Sequence, residues 1–183
     1  WIGASWQGEE ALERPGWPDA VPEDLGPPAP MFRKDFLVEK KVKSAVAFVS
    51  GLGYFELWLN GEKVGKDVLV PNQTNYGLRP KLEEALIAIP DDFTEYKVMY
   101  LAYDVKDILN KGENTLGSIV GNGFYNPAKF WTEGYGTPRF LCQLHITYMD
   151  GTEEVLASDA TWSVSKSPIL MNMVYYGEDY DAR

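Results

Sequence analysis

The sequence is poor in the residues that most often build metal and nucleophilic sites. It has one cysteine, Cys142, and one histidine, His145, among 183 residues. A single cysteine excludes an internal disulfide, and one residue of each kind argues against a zinc centre. A Ser-His-Asp site could use only His145, and no G-x-S-x-G turn accompanies it. We interpret Cys142 as a buried thiol and His145 as a solvated or hydrogen-bonded strand residue.

Positive charge and long apolar runs are also scarce. The chain carries 17 Lys and Arg against 27 Asp and Glu, a formal net charge of −10. This balance argues against nucleic acid and anionic lipid as partners, because phosphate binding needs a basic surface. No stretch of about 18 consecutive apolar residues is present, so the sequence predicts no membrane span. The charge balance does not argue against neutral ligands or cations as partners.

Acidic residues are plentiful, but they do not form a recognisable catalytic pair. Adjacent acids occur at Glu83/Glu84, Asp91/Asp92 and Glu153/Glu154. A glycosidase needs two acids that face each other across a cleft of about 5–10 Å. Neighbouring strand residues point to opposite faces of a sheet, and acids in loops are usually solvated. We therefore assign no catalytic residue in this chain.

Aromatic residues are the abundant class, at 14% of the chain, with 11 tyrosines and 6 tryptophans. With so few basic residues beside them, these rings do not suggest platforms for nucleobases. Two interpretations stay open. The rings can fill the core of a β-sandwich, or some of them can stack on the C–H face of a sugar.

From Met31 onward the sequence alternates between apolar and polar residues with a period of two, which predicts β-strands. Asn60-Gly61 between apolar runs predicts a type I′ hairpin, because that turn needs two positive φ angles. Asp150-Gly151 predicts a second hairpin, and a helical turn closed by Gly112 is expected over 106–114. Strands are expected near 32–39, 43–50, 53–59, 62–65, 98–105, 115–122 and on both sides of Asp150. We predict an all-β fold, an antiparallel jelly-roll-like β-sandwich with short helical insertions.

Composition divides the chain into three parts. Residues 1–30 hold six of the twelve prolines and predict an extended Pro/Trp-rich arm. Residues 31–167 form the predicted sandwich, and 168–183 form an exit segment. The chain starts without methionine, so we expect a processed form or an excised piece. The arm and the exit segment supply the candidate interdomain contacts, which are Trp1, Trp6, Glu178, Tyr180, Asp181 and Arg183.

The stretch GNGFYN, residues 121–126, combines glycine-bracketed amides with aromatic rings. It suits either a rim that grips a sugar or a tight corner of a β-fold, and turn-forming residues explain each asparagine singly. The sugar-binding candidates are Asn75, Tyr76, Asn122, Phe124, Tyr125, Asn126 and Trp131. Oxygen ligands also suit calcium, for which Asp104 and Asn75 are the candidates.

Several motifs, in order along the chain, resemble the N-terminal region of bacterial α-L-rhamnosidases, glycoside hydrolase family 78. They are PAPMFRKDF, GLGYFELWLNGEKVG, LVPNQTNY, YDVKDILNKGENTLGSIVGNGFYN, ITYMDGTEEVLASDATW and YYGEDYDAR. The resemblance implies a jelly-roll-like sandwich ahead of an (α/α)6-barrel whose acidic residues hydrolyse terminal α-L-rhamnose with inversion. Because this chain lacks that barrel, we expect it to have no catalytic activity of its own and to require no cofactor.

The same resemblance implies a role in recognising rhamnose-containing glycans, assisted in some relatives by calcium. Two positions depart from the family pattern. Phe124 stands where tryptophan is common, and Asn75 stands where aspartate is frequent. The alternative is a structural domain that packs on its own catalytic domain without binding sugar. The resemblance also leads us to expect a periplasmic, cell-surface or secreted location.

Overall fold

The computed structural model describes residues 1–7, 27–74, 76–77, 96–126, 134–174 and 177–183. Within them the chain forms eleven β-strands and two single-turn 3-10 helices, Ser5–Gln7 and Lys106–Ile108. The strands are β1 (Pro30–Val38), β2 (Val42–Leu52), β3 (Phe55–Leu59), β4 (Glu62–Lys63), β5 (Leu101–Asp104), β6 (Gly112–Val120), β7 (Arg139–Tyr148), β8 (Glu153–Ala157), β9 (Ser163–Lys166), β10 (Ile169–Met173) and β11 (Gly177–Tyr180).

The described strands form two main sheets and one small one. The first sheet has the order β4-β3-β6-β1-β9, the second has the order β5-β2-β7-β8, and β10 pairs with β11. Every strand pair is antiparallel. Antiparallel sheets with one buried face produce the alternating pattern seen in the sequence. The all-β antiparallel sandwich is therefore confirmed.

Aromatic rings fill the core between the two main sheets. Phe140 on β7 is completely buried, and its ring centroid lies 5.6 Å from that of Phe32, 6.5 Å from Phe55 and 5.7 Å from Trp162. Burying an aromatic side chain of this size contributes roughly 1.5–3 kcal/mol. The interpretation of the rings as core residues is correct for this set, which joins strands of both sheets.

The two predicted hairpins are present, and the first is tied into the rest of the fold. Asn60 and Gly61 have φ angles of 53° and 84°, as a type I′ turn requires. The Asn60 amide nitrogen donates to Ile108 O at 2.9 Å and to Asn114 Oδ1 at 2.8 Å. Its Oδ1 accepts the Thr115 N–H at 2.9 Å. Gly151, with φ of 84°, turns the second hairpin between β7 and β8.

The segment after β5 differs from its prediction. One 3-10 turn forms at Lys106–Ile108, but Gly112 does not close it and instead begins β6. Asn114 closes this loop. Its Oδ1 accepts the Asn110 N–H at 2.8 Å, and its Nδ2 donates to Asn110 O at 2.9 Å and to Gly112 O at 3.0 Å. The buried amide side chain replaces the helical cap that the glycine was expected to provide.

The scarce residues of the sequence lie in β7, as expected. Cys142 is fully buried, and burial raises the pKa of its thiol to about 12. His145 is exposed, with a ring nitrogen 3.2 Å from Gln143 Oε1 and its ring centroid 5.2 Å from that of Phe48. None of the described helices is long and apolar enough to cross a membrane.

Candidate functional site

The GNG part of GNGFYN forms a tight corner at the end of β6. Gly121 donates its N–H to Tyr54 O at 2.7 Å, which brings the corner against the loop between β2 and β3. Gly53 in that loop has φ of 114°, and a Cβ there would lie 2.0 Å from Gly121 O. Gly123 has φ of 52°, and its Cβ would lie 3.0 Å from Tyr54 N. Positions 53 and 123 therefore require glycine, because a side chain would collide with the neighbouring backbone and because both φ angles are positive.

The asparagines of the motif link this corner to β10. The Asn122 N–H donates to Asn172 Oδ1 at 2.5 Å, and Asn122 Nδ2 donates to Asn172 O at 2.9 Å. Asn126 Nδ2 donates to Asn122 Oδ1 at 3.1 Å, and the Asn126 N–H donates to Asn122 O, also at 3.1 Å. Asn122 is 5% exposed and Asn126 is 0% exposed. In this arrangement both amides are engaged in holding the corner together.

Three tyrosines converge beside the corner, and we call Tyr76, Tyr125 and Tyr135 the tyrosine rim. The ring centroid of Tyr76 lies 5.2 Å from that of Tyr125 and 5.4 Å from that of Tyr135, and the last two are stacked at 6.0 Å. The Tyr135 N–H donates to Tyr125 O at 2.9 Å, which fixes the returning loop on the motif. Tyr76 is buried, Tyr125 is half-buried and Tyr135 is 43% exposed. The rim therefore presents a ring to solvent above a rigid base.

Tyr135 was not among the sequence candidates, although the sequence held a signal for it. Like Asn122, it is bracketed by glycines, in the run Gly134-Tyr135-Gly136. Gly136 has φ of 149°, and a Cβ there would lie 3.1 Å from the Tyr125 hydroxyl. The glycines on both sides of Tyr135 therefore allow its loop to come close to Tyr125.

Burial keeps the hydroxyls of Tyr76 and Tyr125 protonated at neutral pH. Burial, with a smaller contribution from neighbouring tyrosines, raises the pKa of Tyr76 to about 12. Burial also raises the pKa of Tyr125, and Arg139 opposes part of that shift. A protonated phenol can both donate and accept a hydrogen bond, which is what a sugar hydroxyl needs from its partner.

The other sugar candidates lie in different settings. Phe124 is half-buried, and its ring meets that of Tyr54 edge-on, with centroids 6.2 Å apart. Asn75 and Trp131 lie outside the described residues, so their predicted roles stay predictions.

Asp104, the other calcium candidate, is not brought to the rim. It pairs with Val46, whereas the corner begins beyond Leu52, which is about 20 Å further along β2 at ~3.3 Å per residue. Asp104 is exposed, and its Oδ1 accepts the Lys106 N–H at 3.0 Å. Across the described ranges, no group of three or more His, Cys, Asp or Glu side chains is placed to hold a metal ion.

The candidate interdomain residues lie mainly on the surface. Trp1 is 49% exposed, and Trp6 is half-buried in the first 3-10 turn. Glu178 and Tyr180 are exposed on β11. The structure brings Asp181 and Arg183 together as an ion pair of 2.7 Å, and hydrogen bonds from Arg183 lower the pKa of the Asp181 carboxyl.

The fold and the corner together define an antiparallel β-sandwich domain with an aromatic rim at one end. Residues 40–183 match the α-L-rhamnosidase N-terminal domain family. The chain belongs to this family, which confirms the resemblance seen in its motifs.

The relatives of the chain are much longer proteins. An α-L-rhamnosidase of Formosa agariphila is 39% identical over 163 residues, which cover 85% of this chain and 15% of the relative. An α-L-rhamnosidase of Streptomyces avermitilis is 31% identical over an alignment of 206 positions, which covers 98% of this chain and 18% of the relative. The chain thus spans less than a fifth of the length of these relatives.

Solved structures show the same fold in members of this group. The α-L-rhamnosidase of Dictyoglumus thermophilum superposes with a TM-score of 0.71 at 34% identity, over 98% of this chain and 19% of that one. The Streptomyces avermitilis α-L-rhamnosidase complexed with L-rhamnose superposes with a TM-score of 0.68 at 33% identity, over 85% of this chain and 14% of that one.

Proposed function

We propose that this chain is a non-catalytic accessory domain of an α-L-rhamnosidase and that its tyrosine rim helps to recognise rhamnose-containing glycans. The observation that carries the proposal is the convergence of Tyr76, Tyr125 and Tyr135 on a corner whose backbone is already fixed. The names of the relatives supply the glycan class, and one solved relative is described as complexed with L-rhamnose.

The corner is built for preorganised binding. Binding is stronger when the side chains of a site are ordered before the ligand arrives, because less conformational entropy is lost. Asn122, Asn126 and Asn172 hold the base of the rim by hydrogen bonds that need no ligand. The half-exposed Tyr135 ring offers an apolar face, and the phenol groups offer neutral donors and acceptors. This combination suits an uncharged sugar.

Hydrolysis itself would be carried out by another part of the parent protein. On this proposal the domain raises the local concentration of glycan near that part, outside the cell or in the periplasm. Calcium stays part of the proposal through Asn75, a predicted oxygen ligand, so the binding test includes arms with and without the ion.

Isothermal titration of the chain with L-rhamnose, in calcium and in EDTA, tests this role. We expect Tyr135→Ala to weaken binding roughly tenfold, about 1.4 kcal/mol, because it removes the most exposed ring of the rim. Tyr100→Ala is the matched control. Tyr100 is also exposed, but it lies beside Phe48 on β2 of the four-stranded sheet and not in the tyrosine rim. Absence of heat at millimolar sugar in both arms, or equal affinity of Tyr135→Ala and the parent sequence, would contradict the proposal.

A second function, packing against the catalytic domain, is favoured by an exposed apolar segment before β5. Tyr96, Val98, Met99 and Tyr100 are all exposed, and the last two contact β2 of the four-stranded sheet through Ser50 and Phe48. Exposed apolar patches of this kind mark interaction surfaces. We expect Met99→Asp to lower the melting temperature of the complete enzyme while leaving that of the isolated domain unchanged. Equal melting temperatures of the complete enzyme with and without the change would exclude this role for the segment.

A further inference from the structure

The outer face of the five-stranded sheet carries an unusual row of residues. The strand register places Trp58 opposite Gly117, Gly117 opposite Arg33, and Arg33 opposite Ser163. Because these residues are cross-strand neighbours, their side chains share the outer face. A glycine therefore separates an exposed tryptophan from an exposed arginine in the middle of the sheet.

No feature of the described fold requires glycine at position 117. Its φ is not in the positive region, and a Cβ there would meet nothing closer than Phe32 O at 3.6 Å. Pairing continues without a register shift on both sides, which excludes a bulge. Glycine inside a strand weakens it, and otherwise marks a place where a ligand or another backbone comes close. The position thus points to something that lies on this face.

The notch left by Gly117 lies between Trp58 and Arg33 on the outer face of the sheet. Trp58 and Arg33 stand two strand spacings apart, about 9.6 Å at ~4.8 Å per strand. The Trp58 side chain borders the notch and is 36% exposed. An indole beside an open notch can stack on the apolar face of a pyranose while the opposite edge of that ring reaches the next strand.

Polar groups with unused hydrogen-bonding capacity stand on the far side of the notch. Asp35 Oδ1 accepts from Arg33 Nε at 3.1 Å, from Arg33 Nη2 at 3.0 Å and from Thr115 Oγ1 at 2.6 Å. All three bonds use one carboxylate oxygen, so Asp35 Oδ2 and Arg33 Nη1 have no hydrogen-bond partner among the described residues. An acceptor and a donor side by side match two adjacent sugar hydroxyls. The charges of the pair cancel, which favours a neutral ligand.

A groove continues from this pair along β1 and β6. It has a volume of about 400 Å³, and Leu37 and Glu113 line it beyond Asp35. Leu37 is exposed, so the groove offers apolar contact as well as a second carboxylate. Its volume gives room for a further sugar unit next to the one in the notch.

We propose that the outer face of the five-stranded sheet is a second glycan-binding surface, separate from the tyrosine rim. A neutral pyranose occupies the notch over Gly117, stacks on Trp58, and hydrogen-bonds Asp35 Oδ2 and Arg33 Nη1. The choice of a glycan as ligand rests on the proposed function, whereas the position of the surface does not. Two surfaces on one domain bind a polymer more tightly than either does alone.

The indole N–H resonance of Trp58, assigned with Trp58→Phe, reports on this surface in ¹⁵N spectra of the chain. The probes are methyl α-L-rhamnopyranoside and, as a second neutral sugar, methyl β-D-galactopyranoside. We expect the resonance to shift and saturate with at least one probe. Gly117→Val should keep the folded spectrum, because the site above it is open, and should abolish the response. Asp35→Asn should weaken the response roughly tenfold.

Asp150→Asn is the matched control for Asp35→Asn. Asp150 is likewise an exposed aspartate bonded to a threonine and a cation, Thr152 and Lys40, but it lies on the turn between β7 and β8 of the other main sheet. Tyr135→Ala should leave the Trp58 response intact, so a failed tyrosine rim and a failed outer surface give different results. A Trp58 resonance that does not move with either probe, or that still responds in Gly117→Val, overturns the proposal. Equal weakening by the Asp35 and Asp150 substitutions does so as well.

Discussion

Replacing Gly53 with alanine should destabilise the domain more than any other single methyl group added at a described glycine turn. The backbone at Gly53 has φ of 114°, which costs an L-residue roughly 1–3 kcal/mol. The new Cβ would also lie 2.0 Å from Gly121 O, and relieving an overlap of this kind costs roughly a further 1–3 kcal/mol. The expected loss is therefore about 2–6 kcal/mol, a large part of a typical stability of 5–15 kcal/mol.

Gly112→Ala isolates the conformational part of this loss. Gly112 has φ of 96°, and a Cβ there would meet nothing within 4 Å. Urea unfolding of both variants, followed by circular dichroism, gives the two free energies of unfolding. The difference between the two free energies of unfolding measures the cost of the overlap between a Cβ at position 53 and Gly121 O.

Equal destabilisation by the two substitutions would refute the reasoning, because the contact at the corner would then be irrelevant. A Gly53→Ala variant as stable as the parent sequence would refute the close approach and the φ argument together. Because Gly53→Ala should push the two backbones of the corner apart, we expect it to weaken sugar binding at the tyrosine rim even under conditions in which the domain stays folded.

Two further predictions concern the core and alkaline pH. Phe140→Ala should cost roughly 3–5 kcal/mol in urea unfolding, because this buried ring contacts three others, whereas Phe48→Ala on the outer face should cost less than half of that. Burial raises the pKa values of Tyr103 and Tyr148 to about 12, with help from Asp67 and Glu154 respectively. Their contribution is present below pH 10, the ordinary tyrosine value, and is lost as pH rises towards 12. Absorbance at about 295 nm should therefore show some of the 11 tyrosines ionising late, together with loss of the β signal; uniform ionisation near pH 10 in the folded protein would contradict this.

Most strands of the two main sheets and both predicted hairpins were predictable because their signals are local, whereas β10 and β11 lie in the segment that the sequence assigned only as an exit. Alternation in β3 places Phe55 and Leu57 in the core and Trp58 outside, and two positive φ angles at Asn60-Gly61 require a particular turn. The role of Gly112 was predicted wrongly, since the residue that closes its loop, Asn114, acts through a side chain whose bonds are visible only in three dimensions.

The candidate site shows the same division between local and long-range information. Glycines around Asn122 suited either a sugar rim or a tight corner, and the structure has the corner. The partner of Asn122 is Asn172, 50 residues away, and nothing in either local sequence indicates the pairing. Tyr135 joins Tyr125 only because a loop returns to it, so its place in the rim follows from tertiary structure rather than from its neighbours in sequence.

The hydrogen bonds of Asn60 have a consequence for the chemical ageing of the protein. An asparagine followed by glycine is prone to deamidation when the backbone nitrogen of the glycine can reach the side-chain carbonyl carbon. In the folded domain three hydrogen bonds hold the Asn60 amide away from that reaction. After conversion to aspartate, an oxygen would replace the nitrogen that now donates to Ile108 O and Asn114 Oδ1, and acceptors would face acceptors. Each excursion to the unfolded state therefore carries a risk of damage at this turn, after which the hairpin closes less firmly.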